Sequence, residues 1–523
     1  MVYNYGTVKA LFRIEVRILP GVAFTLALAA FLLGACTVGP SFRRPEAPKA
    51  GSYTVAHLPA KTESAPVAGG AAQRFRMAEK IPVRWWRLFH SPGLDGLIRL
   101  GLARNPTLSA ARAALDVAYE NERSTAGALL YPAIDAKASA SREKFSSAAF
   151  GQPSAPGIVF NLFNVSASVS YVFDLFGGAR RSLEALEADV DYQRFLLEGA
   201  YVTLSANIVA AAVKEASLRA QLAATRQILA TEQAGLRIME RQYALGGVSL
   251  PDVLAQKAQL AAVRAQLPPL EKAFSDVRHQ LAVLAGTLPG NSGGLPEVDL
   301  DSLRLPRELP VSLPSRLVRQ RPDIRASEAL LHAASAQIGV ATADMLPQIT
   351  FTGGIGSETT EVHDLLGRNS SIWDLGISLL QPVFHGGELS ARRRAAVYAY
   401  KQALAQYQET VLVAFQNVAD ALRAVDRDAA ALRAQAGAWA AARESFLIAR
   451  KQFRLGAVSY LSLLNAERQY RQATINLVLA RAARLSDTAA LFQALGGGWE
   501  AAPIAKRDSG CRLTAASAGA DKQ

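Results

Sequence analysis

The sequence predicts a mainly α chain with a small β part. Long coiled-coil helices form an α-helical barrel continuous with a transmembrane β-barrel, on an internal two-fold repeat. Three observations predict this fold. Short signatures recur in the same order roughly 210 residues apart. Two stretches carry apolar heptads without interruption. Four short segments alternate apolar and polar residues as membrane-crossing strands do.

The repeat is read from matched signatures. Asn105-Pro106-Thr107-Leu108 answers Arg321-Pro322-Asp323-Ile324, and Tyr131-Pro132 answers Leu346-Pro347. Phe176-Gly177-Gly178 answers Phe384-His385-Gly386-Gly387. Tyr243 to Ser249 answers Phe453 to Ser459. A duplication explains the common order, and it sets the expected domains: 91–290 as the first repeat, 291–313 as a linker and 314–499 as the second repeat. Residues 36–90 read as an extended N-terminal segment and 500–523 as a polar tail.

The first element is an export signal. Lys9, Arg13 and Arg17 precede an apolar run from Ile18 to Leu33 that is short for a membrane span. It ends in Leu33-Gly34-Ala35-Cys36, which resembles a bacterial lipobox, so residues 1–35 are expected to be a signal peptide and Cys36 to be acylated. Two or more chains on one cysteine anchor stably where one does not. Thr37 is not an aspartate of the kind that resembles an inner-membrane retention signal, which favours the outer membrane. A plain signal peptide with an incidental cysteine is the alternative.

Each half then runs a helix (about 94–130, and 315–345) to a proline, followed by two strands. Val165, Ala167, Val169, Tyr171 and Phe173 alternate with Asn164, Ser166, Ser168 and Ser170. Trp373, Leu375, Ile377 and Leu379 alternate with Asp374, Gly376 and Ser378. Ile134–Ala140 and Ile349–Ile355 are their weaker partners. Four strands cannot close a barrel, since the smallest close with about eight. Open edges are not tolerated in lipid, where unpaired backbone groups find no water. Strands that span the membrane here require several copies of the chain.

Two very long helices follow the strands. Val397, Leu404, Val411, Val418, Val425, Leu432, Trp439, Phe446 and Phe453 recur at every seventh position. In the first half Leu197, Leu204, Ala211 and Leu218 interleave with Tyr201, Ile208, Leu222, Leu229, Leu236 and Tyr243. Each helix should be about 100 Å long at about 1.5 Å per residue. Gly246 and Gly456 suit left-handed caps at their ends. Ser249 and Ser459 can cap the returning helices, and Asp252 completes a capping box. Pro268-Pro269 is expected to break the first returning helix.

Composition narrows the function classes. The chain has 523 residues, 50% of them hydrophobic, and two cysteines, Cys36 and Cys511, which supply no disulfide framework. None of the six histidines has metal-ligand spacing, so no metal or cofactor is expected. The net charge is +13, or +11 once three positives and Glu15 leave with residues 1–35. It is spread along helices and mixed with acids, which fits a solvated surface or contact with anionic lipid rather than nucleic acid. No phosphate loop, nucleophile elbow or carboxylate pair supports an enzyme.

Together these residues resemble the outer-membrane efflux factors, the TolC-like family, and most of all its lipoprotein branch. The resemblance rests on Cys36-Thr37-Val38-Gly39-Pro40, Trp85-Trp86 with Phe89 and Pro92, Arg321-Pro322-Asp323-Ile324 and Gln381-Pro382-Val383-Phe384. It rests also on Leu267-Pro268-Pro269-Leu270, the two Leu-Gly turns and Leu495-Gly496-Gly497-Gly498-Trp499. It implies a homotrimer whose protomers give four strands each to a twelve-stranded barrel, with the helices forming a tunnel in the periplasm. It implies a periplasmic adaptor (membrane fusion) protein and an inner-membrane pump as partners, and passive export of drugs, dyes, metals or detergents. Carried over by position, Leu245, Gly246, Gly247, Val248 and Ser249, with Leu455, Gly456, Ala457, Val458 and Ser459, meet the adaptor. Where some members carry an acid at the aperture, this chain has Val458.

A pore shut at the turn-bearing end needs polar contacts there. Glu240, Arg241, Arg450 and Arg454 are the gate candidates, against the plainer reading of surface i,i+4 pairs. The rival function is a structural lipoprotein that spans the periplasm and conducts nothing; it has no use for the mirrored strands.

Overall fold

The computed structural model describes residues 37–48, 51–55, 58–146, 151 and 156–497. Cys36, the expected signal peptide and Cys511 lie outside them. The first half contains β1 (Arg74–Met77), α1 (Pro92–Arg104), α2 (Pro106–Leu130), β2 (Ala133–Phe145), β3 (Ile158–Phe173), α3 (Gly178–Ala244) and α4 (Leu250–Leu284). The second contains β4 (Glu308–Val311), α5 (Pro314–Gln320), α6 (Pro322–Ala343), β5 (Gln348–Thr359), β6 (Ser371–Leu380), α7 (Glu388–Arg454) and α8 (Tyr460–Ala494). The halves match in length as well as order. Both α3 and α7 have 67 residues, and both α4 and α8 have 35.

Two compact units are present. Of the described residues, the first holds those within 37–45, 114–193 and 327–408. Its centre is a four-stranded antiparallel sheet in the order β2-β3-β5-β6, so each half supplies one central and one outer strand. Residues 37–45 cross its helices as a strap. Val38 N donates to Phe176 O at 3.0 Å, and Arg181 Nε donates to Val38 O at 3.1 Å. A Cβ on Gly39 would stand 2.5 Å from Gly339 Cα, and Gly39 has φ +92°, so this crossing admits only glycine. Farther along, Phe42 stacks on His332 at 4.4 Å and Arg44 pairs with Glu328 at 2.6 Å. Burial alone raises the Glu184 carboxyl, but hydrogen bonds from His332 and Arg181 bring it below the usual range.

Of the described residues, the second unit holds those within 46–113, 194–326 and 409–497. Its core holds Trp85, Phe89, Leu94, Leu97 and Ile98, with Trp85 stacked on Phe492 at 5.3 Å. β1 and β4 form a two-stranded parallel pair, so the residues read as linker and extended segment include paired backbone. Arg484 is buried and donates to Gly69 O and Ala71 O, pinning that segment to α8.

The heptad residues sit where coiled-coil packing puts them. In α7, Val411, Val418, Val425 and Leu432 are buried, and the other five positions of that stripe are half-buried. Phe446 stacks on Tyr470 of α8 at 5.5 Å. Tyr243 is the exception in the first half, exposed near the end of α3.

Two expectations are corrected. The helices expected over 94–130 and 315–345 are each divided, at Asn105 and at Arg321. The following proline drives its neighbour into the extended region, with ψ 123° at Asn105 and ψ 124° at Arg321. Asn105 Oδ1 then caps α2 by accepting from Thr107 N at 2.9 Å. The break expected at Pro268-Pro269 does not occur, and α4 runs through both prolines. Their turn is largely exposed, so water can satisfy the carbonyls that lose amide partners.

Candidate functional site

The sheet sorts its residues by face. Across the four strands, Ala136 pairs Ala167, Ala167 pairs Ile355, and Ile355 pairs Trp373. Ile134, Val169, Gly353 and Leu375 form the next row of the same face, and Tyr171, Phe351 and Ile377 another. These side chains are turned to the outside: Trp373 is 79% exposed and Leu375 82%. In water such a surface carries a large solvation cost, whereas in hydrocarbon it carries none. The opposite face is polar, with Ser168, Ser166, Thr352 and Ser378 between Asp135 on β2 and Asp374 on β6. Among the described residues, β2 and β6 each have one neighbour. One face thus suits lipid, the other water, and two backbone edges await partners.

The long α3 contains an apolar stretch of membrane-spanning length, but 61% of that window is buried in the fold, which makes it coiled-coil core.

The turns close both helical hairpins with one hydrogen-bond pattern. Gly246 (φ +75°) donates to Tyr243 O and Gly247 to Gln242 O, at 2.9 and 2.8 Å. Gly456 (φ +71°) and Ala457 repeat this with Phe453 O and Gln452 O, at 3.0 and 2.9 Å. This is the Schellman cap, and it needs a left-handed residue only at the first of the two positions. Alanine therefore serves at 457 where glycine stands at 247. Ser249 N donates to the Asp252 carboxylate at 3.1 Å, and Ser459 Oγ accepts from Ser462 N at 3.3 Å. Leu245 and Leu455 project from the turns, exposed.

The four gate candidates are all exposed and do not meet one another in one chain. Glu240 pairs with Lys257 on the returning helix at 3.1 Å. Arg450 lies over the Phe446 ring at 5.9 Å. Arg241 and Arg454 lie on the surface beside the turns.

A buried polar group near this end escaped the sequence reading. Arg471 on α8 contacts Glu232 on α3 and Glu467 on its own helix. Gln256 on α4 donates to Glu232 O at 3.1 Å, and Tyr460 OH donates to Gln256 Oε1 at 2.5 Å. Glu232, Gln256 and Arg471 are all buried. The network ties the first hairpin to the second. Burial pushes the Glu467 carboxyl up while the Arg471 guanidinium opposes it. Burial, with the charges of Glu232 and Glu467, also raises the Tyr460 hydroxyl. One signal was available: the stripe Leu197, Leu204, Ala211, Leu218 continues at its own spacing into Thr225 and Glu232.

Among the described residues, Glu361, His363 and Asp364 gather in the β5–β6 loop, all solvent-exposed, an arrangement common without any ion.

An amphipathic sheet with open edges, in a chain whose long helices pair as coiled-coil hairpins, defines an outer-membrane channel protomer. Residues 97–287 and 313–497 match the outer membrane efflux protein family. The toluene efflux pump outer membrane protein TtgC of Pseudomonas putida is 30% identical over 477 residues, covering 91% of this chain and 95% of that protein. The pyoverdine export outer membrane protein OpmQ of Pseudomonas aeruginosa is 32% identical over 424 residues, covering 80% and 88%. Among solved structures, the outer-membrane channel OprN matches with TM-score 0.78 and 28% identity, over 89% of this chain and 100% of that one. The chain belongs to the outer membrane efflux protein family and acts in the outer membrane as the channel of an efflux system.

Proposed function

We propose that three copies of the chain join β2 to β6 around a three-fold axis, closing a twelve-stranded barrel with the apolar face in lipid and the polar face lining the duct. The observation that carries this reading is the sheet itself, which has one face fit for lipid and two edges without neighbours. Unpaired backbone cannot stay at an edge within hydrocarbon. Three copies of four strands satisfy every edge.

In this reading the helices extend into the periplasm, and the turns Leu245–Ser249 and Leu455–Ser459 receive a periplasmic adaptor linked to an inner-membrane pump. Export through the duct is passive, with the pump choosing the cargo. Relatives named for cargoes as different as toluene and pyoverdine support a duct without fine selectivity. Residues 1–35 are removed as a signal peptide, and acyl chains on Cys36 anchor the mature N-terminus in the membrane. At the turn-bearing end, the exposed Arg241 and Arg454, with Arg450 over the Phe446 ring, meet other copies and hold the resting aperture shut, while Glu240 is already engaged within its own chain.

Planar-bilayer recording tests the proposal. The purified protein should give a small resting conductance, and Arg454→Ala should enlarge it. An Arg454→Ala channel identical to the parent removes that residue from the gate. A protein that never conducts returns the structural-lipoprotein reading. Antibiotic accumulation in cells with and without the chain tests the export role.

A further inference from the structure

Beneath the sheet, where β3 ends and α3 begins, the first unit contains a crevice of about 430 Å³. Its walls include Leu129 and Tyr131 at the end of α2, Leu175 and Phe176 before α3, and Val340 and Ala343 near the end of α6. We propose that this crevice is the seat of one acyl chain carried by Cys36. The inference rests on the acylation of Cys36 proposed above and adds where that lipid lies.

Position is the first argument. Gly177 stands between Phe176 and Gly178, both of which line the crevice. A Cβ on Gly177 would lie 3.0 Å from Thr37 Cα and 2.6 Å from Thr37 Cγ2, so Thr37 rests against the wall. Consecutive Cα atoms are about 3.8 Å apart, so Cys36 begins one residue from the same wall.

Rigidity is the second. The bond from Val38 N to Phe176 O, the Arg181 guanidinium on Val38 O and Gly39 O, and the Gly39–Gly339 crossing fix the strap within three residues of the cysteine. A chain tethered so close competes for the crevice at an effective concentration no free lipid matches.

The third argument is chemical. Asp174, the acid nearest the start of α3, already accepts from Ala179 N, Arg180 N and Arg180 Nε at 3.1 to 3.2 Å. Its charge asks for no ligand; Asp344, Ser170 and Ser182 also line the crevice, and the rest of the wall is mainly apolar. Tyr171 and Phe173 of the apolar face, with Ser170, Val172 and Gln348 of the other, also line the crevice, so it lies where β3 ends and β5 begins. An acyl chain there covers Leu129, Leu175 and Val340 where the hydrocarbon of the membrane gives out.

The test uses the full-length protein in cells fed a clickable fatty acid with a diazirine near its end. After irradiation in intact membranes, mass spectrometry reads both the acylation of the N-terminal peptide and the positions cross-linked to it. The expected result is an acylated Cys36 peptide joined to residues around 129–131, 175–176 or 340–343. Ala343→Trp should cut that cross-link several-fold and leave acylation intact; Leu129→Phe serves the same purpose with less bulk. An acylated peptide joined only to membrane lipid or to belt residues such as Leu375 overturns the seat alone. So does a crevice labelled by photoreactive phospholipid but never by the Cys36 chain. An unmodified cysteine overturns the anchor and the seat together.

Discussion

In the sheet, large apolar side chains are exposed and, among the described residues, two outer strands have one neighbour each; near the turns, the network around Arg471 and Glu232 is buried between paired helices. Many of the sheet's large apolar residues, Trp373, Leu375 and Ile377 among them, are exposed in one chain. The hairpins at the turn-bearing end complete themselves, with Arg471, Glu232, Gln256, Tyr460 and Glu467 linking two hairpins from within. In the proposed barrel, lipid and other copies stabilise the first region, so it should tolerate little change on its outer face. The second region stores its specificity in a few desolvated charges, where removing one member leaves the others unpaired.

The sharpest way to break this contrast is to charge the outer face. Leu375→Arg places a guanidinium where lipid is expected, at roughly 2–4 kcal/mol per copy near the bilayer midplane. Three copies multiply that cost, and the heat-modifiable oligomer should vanish from outer-membrane fractions on semi-native gels. Ser168→Asn, on the polar face, should leave the oligomer in place. Equal effects from the two faces would undo the assignment.

Arg471→Met addresses the other region. It strands Glu232 as a buried carboxylate beside the half-buried Glu467, and leaving a buried charge unpaired typically destabilises by about 3–5 kcal/mol. Thermal unfolding should fall accordingly, and replacing Glu232 and Glu467 by glutamine in the same chain should recover much of the loss. An Arg471→Met chain as stable as the parent would mean that water already reaches this network.

A smaller effect belongs to the turns. Gly456→Ala forces an L side chain into a left-handed cap, at roughly 1–2 kcal/mol. Ala457→Gly, beside it, should change stability by a few tenths at most, since that position is not left-handed.

A pH dependence belongs to the second unit. Burial, then the facing Asp487 carboxyl, raises Asp428 from 3.8 to about 7, with Arg484 opposing. The folded chain therefore holds this proton more tightly than the unfolded chain. Its stabilising contribution is complete below about pH 4 and is lost as the pH rises through about 7. Asp428→Asn should flatten the decline of melting temperature across that window; an unchanged slope assigns the titration elsewhere.

These contrasts also explain what the sequence could reveal. Strand alternation is legible because a side chain's face follows from its position alone, so Val165 to Phe173 and Trp373 to Leu379 declared their apolar face without neighbours. The heptads of α7 were legible for the same reason. The Glu232 network was not, because a polar residue in a heptad stripe looks like the end of the stripe until its partners on α4 and α8 are known. Asn105-Pro106 and Arg321-Pro322 marked the repeat, yet the same prolines also divide the helices, a local rule obscured by the long periodic pattern. Pro268-Pro269 erred in the other direction: the rule predicts a break, and an exposed turn removes the need for one. The parallel pairing of Arg74–Met77 with Glu308–Val311 joins segments too far apart for any local signal. The strap had a motif but no visible destination, since the Gly39–Gly339 crossing exists only in three dimensions.

Native mass spectrometry of the mature, detergent-solubilised protein puts the open edges of β2 and β6 to the most direct trial. A mass of three chains, surviving dilution, is the predicted result. A stable single chain would show that four strands suffice by themselves, contradicting the barrel and everything built upon it.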